Sequence, residues 1–227
     1  VALVIAPPAS VDELMNRAHS LVGARLDQLA YRLAMRADGA AVSTKGNAGM
    51  LLEAALGAHG GSTQAHDFPE IGVELKSIPV APDGRVLEST YVCTLSIRDA
   101  ERQEWSSSWA RKKLSRVLFV PLIAERRAPW ATRVVGTPLL WSPTAGQERG
   151  LAADFDEAIG RIAVGGIEDL DARSGRWMQV RPKARDGAAR TLAWDRDGEP
   201  VATVPRGFYL RARFTAALLV DPTAEPD

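Results

Sequence analysis

A mixed α/β (α+β) domain is the fold class the sequence predicts: helical periodicity fills the first 56 residues, alternating strand patterns begin at residue 71, and Gly- and Pro-containing turns separate the segments. Ser10, with Glu13 three residues on, has the pattern of a capping box ahead of Leu14, Ala18 and Leu21, which predicts a helix from about residue 11 that ends at Gly23. Leu26, Leu29, Ala30 and Leu33 recur at helical spacing as far as the turn at Asp38-Gly39. A third helix fits Met50 to Leu56, with Gly57 and the Gly60-Gly61 pair as terminators. From Ile71 to Pro79 apolar and polar residues alternate, the signature of a strand. Pro82-Asp83-Gly84 is a turn signal and Thr90 to Ile97 a second strand, so the two predict a hairpin. Further strands fit Leu114 to Ile123, Trp177 to Val180 and Val201 to Val204, and a short helix fits Phe214 to Val220.

With 227 residues, 46% of them hydrophobic, the chain can bury the core of one large domain or of two lobes, which excludes intrinsic disorder. The 28 basic residues balance the 28 acidic ones, so no global positive excess announces a nucleic-acid partner and charge has to be read locally. One cysteine, Cys93, excludes an internal disulfide and any multi-cysteine zinc site; it is expected to be a small buried residue in a reducing cytoplasm. The apolar run Val1 to Ala6 is too short for a signal peptide, and no stretch reaches the roughly 20 apolar residues that span a bilayer. A soluble cytoplasmic protein without membrane contact is therefore expected. No internal repeat is present, and flexibility is expected at the first residues and from Asp221 to Asp227.

Chemistry concentrates between Asp67 and Lys76, where an aspartate precedes Glu74-Leu75-Lys76 by seven residues. The two-residue strand period puts Glu74 and Lys76 on one face, with Val73 and Leu75 on the other. A carboxylate and an ammonium side by side, with an aspartate delivered from the preceding turn, supply hard oxygen ligands for Mg²⁺ and a cation for a reacting phosphate. Lys76 would orient the attacking water, help deprotonate it or stabilise developing charge. The same pattern on an exposed strand is an ordinary solvated surface. Glu53, set among Leu51, Leu52, Ala54, Ala55 and Leu56, needs either a solvent face or a partner.

Longer blocks give these residues a context. Lys45-Gly46-x-x-Gly49-x-x-Leu52-Glu53-x-x-Leu56-Gly57, Asp67-Phe68 and Gly72-Val-Glu-Leu-Lys-Ser-Ile-Pro-Val80 are followed in order by Glu88-Ser-Thr-Tyr-Val-Cys93, Arg116-Val-Leu, Gly136-Thr-Pro-Leu-Leu-Trp-Ser-Pro143, Val180-Arg-Pro-Lys-Ala184 and Pro205-Arg-Gly-Phe-Tyr-Leu210. In these blocks, roughly residues 10 to 220, the chain resembles the MutH family of methyl-directed mismatch-repair endonucleases. The resemblance implies a restriction-endonuclease-like fold, a mixed central sheet flanked by helices. It also implies one domain over residues 1–227, with two lobes around a DNA cleft and an uncertain boundary between them. Glu53, Asp67, Glu74 and Lys76 fall on the active-site positions, with Asp67, Glu74 and Glu53 implied as the metal set. Asn47-Ala48 departs from the bulkier apolar pair of relatives, and the tail after Leu219 diverges.

Local charge agrees with a DNA partner. From Arg98 to Arg133 nine basic residues face four acids, and from Arg173 to Arg213 ten face four, whereas Glu148 to Asp171 is acid-rich. Arg181-Pro182-Lys183 follows a predicted strand, and Phe208-Tyr209 lies between Arg206 and Arg211, where an arginine fork can pair with guanine. The resemblance implies recognition of double-stranded DNA at hemimethylated GATC and nicking of its unmethylated strand. It implies Arg181, Pro182 and Tyr209 as base readers and Lys45 and Lys113 as phosphate or active-site contacts; because an adenine N6 methyl adds bulk and removes a donor hydrogen, Tyr209 is expected near that adenine. A monomer recruited by MutL, acting with MutS, is the expected assembly. A restriction endonuclease cutting both strands and a DNA-binding module without cleavage are the alternatives.

Overall fold

The protein is described by a computed structural model covering residues 5–33, 44–58, 65–170, 174–183 and 188–227, with backbone alone for 44–47. In chain order the regular elements are helices α1 (Val11–Ser20), α2 (Leu26–Arg32) and α3 (Thr44–Leu56), strands β1 (Glu74–Val80) and β2 (Thr90–Thr94), helix α4 (Trp109–Leu114), strands β3 (Val117–Ile123), β4 (Val134–Val135) and β5 (Leu139–Trp141), helix α5 (Ala145–Ala163), strands β6 (Met178–Pro182), β7 (Thr191–Trp194), β8 (Pro200–Thr203) and β9 (Arg206–Leu210), and helix α6 (Ala212–Val220). They divide into two compact units, Val1–Glu88 with Arg116–Ser142, and Ser89–Ser115 with Pro143–Asp227.

In the first unit, the Ser10 hydroxyl accepts from the Glu13 amide at 3.1 Å and starts α1 where the pattern predicts. The Glu13 carboxylate reaches back to the amide of Ala9, one residue beyond the cap. Leu14, Leu26, Leu52 and Leu56, each withdrawn from water, bring α1, α2 and α3 into one core with Val73, Leu75, Leu118 and Val120 of the sheet side. Such burial contributes about 2 kcal/mol per leucine against about 1 kcal/mol for a cap, so packing holds the helices down and the cap fixes where α1 begins. The third helix starts at Thr44, earlier than the predicted Met50. The turns expected at Asp38-Gly39 and Gly60-Gly61 lie outside the described residues.

Strand β1 pairs in parallel with β3, Glu74 opposite Val117 and Lys76 opposite Phe119, while β4 and β5 both run antiparallel to β3. The strand expected from Ile71 begins only at Glu74, because Pro69–Ile71 forms a 3₁₀ turn. Leu114, expected to open the third strand, instead closes α4. The predicted hairpin is not formed either. The chain does reverse at Pro82-Asp83-Gly84, bridging Val80 to Val86, but β2 lies in the second unit and pairs with β9. A turn sequence specifies a reversal, whereas a strand's partner is set by long-range packing.

The second unit holds the antiparallel sheet β2-β9-β6 and the β7-β8 hairpin. Helix α5 covers one face of the three-stranded sheet: Phe155 stacks on Phe208 of β9 at 5.1 Å between centroids and meets Trp105 edge-on at 5.6 Å. Asp154, buried on the same helix, accepts the backbone amides of Arg176, Trp177 and Met178 at 2.6, 2.7 and 2.7 Å, tying α5 to the start of β6. The segment Asp221 to Asp227, expected to be flexible, is docked. Gln147 donates to the carbonyls of Pro222 and Ala224 at 2.9 Å, and the Trp177 indole donates to that of Pro226 at 2.7 Å. Cys93 is buried, as its composition-based reading expected. Among the described residues, no helix is long and apolar enough to cross a membrane.

Replacing Asp154 by Ala leaves three amides without their acceptor. We expect a loss of about 3 kcal/mol in unfolding free energy, read by urea denaturation, against less than about 1 kcal/mol for a substitution at exposed Asp156.

Candidate active site

The seven-residue interval between Asp67 and Glu74 is a tight reversal. Phe68 and Val73 exchange backbone hydrogen bonds at 2.9 and 3.1 Å, the 3₁₀ turn spans Pro69–Ile71, and Gly72 closes it at φ +63°, a left-handed conformation that suits glycine. The reversal returns Asp67 to the edge of β1, where its Oδ2 accepts the Leu75 amide at 2.7 Å. On the opposite edge the Glu74 amide donates to the Arg116 carbonyl at 3.0 Å. Alternation along a strand sends successive amides to opposite edges, so Asp67 occupies the position a neighbouring strand would take.

Glu74 and Lys76 share the face predicted for them, and their Oε1 and Nζ atoms lie 2.7 Å apart. The face is not a solvated surface: the two side chains are 3% and 18% exposed. Taking a carboxylate and an ammonium out of water costs several kcal/mol per ion, and mutual attraction only partly offsets it. Stability alone gives little reason to keep such a pair on a strand that otherwise carries Leu75, Ile78 and Val80, which makes it a candidate for chemistry.

Glu53 is half-buried on α3, the helix that packs against β1. Among the described residues no three His, Cys, Asp or Glu side chains form a ready group for a metal ion. Asp67, fastened to the Leu75 amide, and Glu74, paired with Lys76, carry hard carboxylate oxygens of the kind divalent Mg²⁺ or Ca²⁺ selects, so the residue types fit such a cation in chemistry. The side chain of Lys45 lies outside the described residues. Lys113 is buried on α4, its Nζ 5.6 Å from the Trp109 ring, rather than displayed on a basic surface.

Arg181 and Tyr209 come together in the second unit, whereas Pro182, opposite Arg206, falls by strand alternation on the other face of the sheet. In the sheet register Tyr209 stands directly opposite both Tyr91 and Gln179, and Arg181 stands opposite Gly207. Arg181 is exposed, with its guanidinium carbon 5.9 Å from the Tyr209 ring centre; Tyr91 meets Tyr209 edge-on at 5.3 Å, and the Lys183 Nζ lies 4.1 Å from the Tyr91 ring centre. A side chain at Gly207 would run into the Cys93 carbonyl at 2.8 Å and the Tyr91 ring at 3.0 Å, so only glycine leaves this face intact. Burial, then the nearby Tyr91 hydroxyl, push the Tyr209 phenol above its ordinary pKa, with Arg181 pulling the other way. Tyr209 is therefore a neutral hydroxyl at physiological pH. Tyr91 and Lys183 belong to this aromatic and cationic face, although neither is named as a base reader by the sequence reading. The alternation of β2 and β6 would have found them had the pairing with β9 been known.

A double-mutant cycle tests the buried ion pair. Lys76→Met should cost about 3 kcal/mol because it removes the cation paired with the buried Glu74 carboxylate, whereas Lys76→Met with Glu74→Gln should recover most of that loss in chemical denaturation.

Comparison with known proteins identifies the family. Residues 56–154 match the family model described as DNA mismatch repair enzyme MutH. The DNA mismatch repair protein MutH of Serratia proteamaculans (strain 568) is 45% identical over 215 residues, 94% of this chain and 93% of that protein. The MutH proteins of Vibrio parahaemolyticus and Yersinia enterocolitica are each 43% identical, with 94% of both chains covered. The mixed sheet and its flanking helices agree with the restriction-endonuclease-like fold of that family. Identity at this level across nearly the whole length shows that the chain belongs to the MutH family of DNA mismatch repair enzymes.

Proposed function

We propose that this protein is the strand-nicking endonuclease of mismatch repair, hydrolysing a phosphodiester in the unmethylated strand of hemimethylated GATC sites with Mg²⁺. The observation that carries this reading is the Glu74–Lys76 pair, nearly dry, on the strand whose intervening Leu75 amide fastens the carboxylate of Asp67. In it Asp67 and Glu74 hold the cation, with Glu53 of α3 completing the acidic set, and Lys76 is the cation beside the reacting phosphate. Bound Mg²⁺ supplies Lewis-acid polarisation of the phosphate and lowers the pKa of attacking water. The protein's own contribution is positional. Asp67 is fixed through the Leu75 amide, and Glu74 orients the Lys76 ammonium, so neither has to be ordered when DNA arrives.

Arg181, Pro182 and Tyr209 are the proposed base readers, and the neutral Tyr209 hydroxyl is the group set near the adenine whose N6 methylation distinguishes the strands. Lys45 is proposed as an auxiliary phosphate or active-site contact, a role that Lys113, buried on α4, could take only if its side chain were released toward the DNA. The chain is proposed to act as a single endonuclease domain, a monomer in the cytoplasm, recruited to DNA by MutL working with MutS.

The decisive assay is Mg²⁺-dependent nicking of a hemimethylated GATC plasmid, with and without a cognate MutL, mapping the strand that is cut. Nicks should fall on the unmethylated strand, and Glu74→Ala and Lys76→Ala should each slow them at least about a hundredfold while keeping the native fold. Double-strand breaks would make the protein a restriction enzyme, and binding without any cleavage would make it a recognition module. Arg181→Ala should reduce the preference for GATC over a one-base variant by about tenfold or more, with smaller change in binding to random DNA. Equal losses on both duplexes would reassign Arg181 to the phosphate backbone.

A further inference from the structure

Directly after α5, in the acid-rich part of the sequence that the proposed chemistry leaves unused, Glu168 makes contacts out of proportion to its exposure. Its Oε1 accepts the Thr203 hydroxyl at 2.7 Å and its Oε2 lies 3.0 Å from Nη2 of Arg206. Thr203 is the last residue of β8 and Arg206 the first of β9, so one carboxylate grips both ends of the two-residue corner Val204-Pro205. That corner is where the proposed reading segment ends. The Pro205 carbonyl accepts the amide of Lys183 at 2.6 Å, and Arg206 stands opposite Pro182 in the ladder. Its neighbour Gly207 stands opposite Arg181.

Arg206 itself is turned to the face of β9 that also carries Phe208, and its side chain is 6% exposed. A guanidinium in that position needs compensation, yet its Nε is buried with no hydrogen-bond partner among the described residues, and its Nη1 reaches the Leu170 carbonyl only at 3.5 Å. Glu168 is thus its principal anionic partner. The carboxyl of Glu168 is held below its usual pKa by the Thr203 hydroxyl and then by the Arg206 charge, opposed by partial burial. It is ionised at neutral pH and so carries the negative charge opposite Arg206, although its own side chain is 74% exposed.

We infer that Glu168 is a positioning residue for sequence recognition: through Thr203 and Arg206 it sets the β8–β9 corner, and thereby the presentation of Arg181, Pro182 and Lys183. This rests on the reading of Arg181 as a base contact. Glu168 touches neither DNA nor the reacting groups in this account, and its loss leaves the carboxylates of the first unit unaltered.

The test compares wild type, Glu168→Ala, Glu168→Gln, Thr203→Val, Arg181→Ala and the Glu168→Ala/Arg181→Ala pair. Nicking of a hemimethylated GATC duplex is measured against a duplex with one altered base pair, alongside binding to a random duplex. Glu168→Ala should lower discrimination by about tenfold, the scale of one imperfect base contact, without weakening random-duplex binding. Glu168→Gln, which keeps an acceptor oxygen, should restore part of it, and the pair should be no worse than Arg181→Ala alone. If Glu168→Ala disturbs the native circular dichroism, Thr203→Val and Glu168→Gln carry the comparison, each expected to show a smaller loss of the same kind. Full discrimination in the folded Glu168 and Thr203 variants while Arg181→Ala loses it would overturn the positioning role alone. Full discrimination in Arg181→Ala would overturn the base-reading assignment, and the positioning role with it.

Discussion

Strand β1 is joined as a ladder to β3 alone among the described residues, and the amide of Leu75 on its other edge is closed by Asp67 instead of by another strand. This contact links the fold of the first unit to its chemistry. A charged acceptor at 2.7 Å is a stronger partner for that amide than water, and it sits where an added strand would otherwise be recruited. The turn through Gly72 makes the arrangement geometrically affordable, and Leu75, whose backbone receives the contact, belongs to the core with Leu52, Leu56 and Leu118. Displacing Asp67 would therefore disturb an edge of the sheet as well as a carboxylate of the proposed active site.

The second unit separates its tasks by the two faces of one sheet. Phe208 and Val180 lie opposite each other on the side covered by α5, while Tyr209, Tyr91 and Arg181 occupy the other. The covered side is apolar except where Arg206 and Glu168 meet, and the outer side combines aromatic rings with cations. Such a surface suits nucleic acid without any net positive charge on the whole chain: a few local cations set the electrostatic response to salt, and planar groups set selectivity. The equality of 28 basic and 28 acidic residues is thus compatible with a DNA enzyme because acids such as Asp154 and Glu168 are engaged in holding strands.

Features encoded within a few residues were legible in the sequence. Ser10 and Glu13 announced α1, and the two-residue period placed Glu74 and Lys76 together. Their burial was not legible, since alternation specifies a face and not what covers it. Helix α5 was obscured because Leu151, Phe155, Ala158, Ile159 and Ile162, its buried stripe, are interleaved with acids and glycines. Strand β9 was hidden by a buried Arg206 and by Gly207, neither of which looks like a central strand residue. The failed hairpin has the same origin as these omissions: the partner of β2 lies more than a hundred residues away, at β9, and no local pattern names it. The divergent tail likewise revealed its place only through Gln147 and Trp177, which hold it by backbone carbonyls that any sequence would supply.

The buried state of Cys93 makes this chain a convenient object for spectroscopy. It is the only cysteine, and a thiol 5% exposed on β2, behind Gly207 and Phe208, is poorly accessible to maleimides and nitroxide reagents. A cysteine introduced at an exposed position would then be a unique attachment point. Dyes or spin labels could report on either unit separately without first removing the native thiol, whose replacement would alter a well-packed strand.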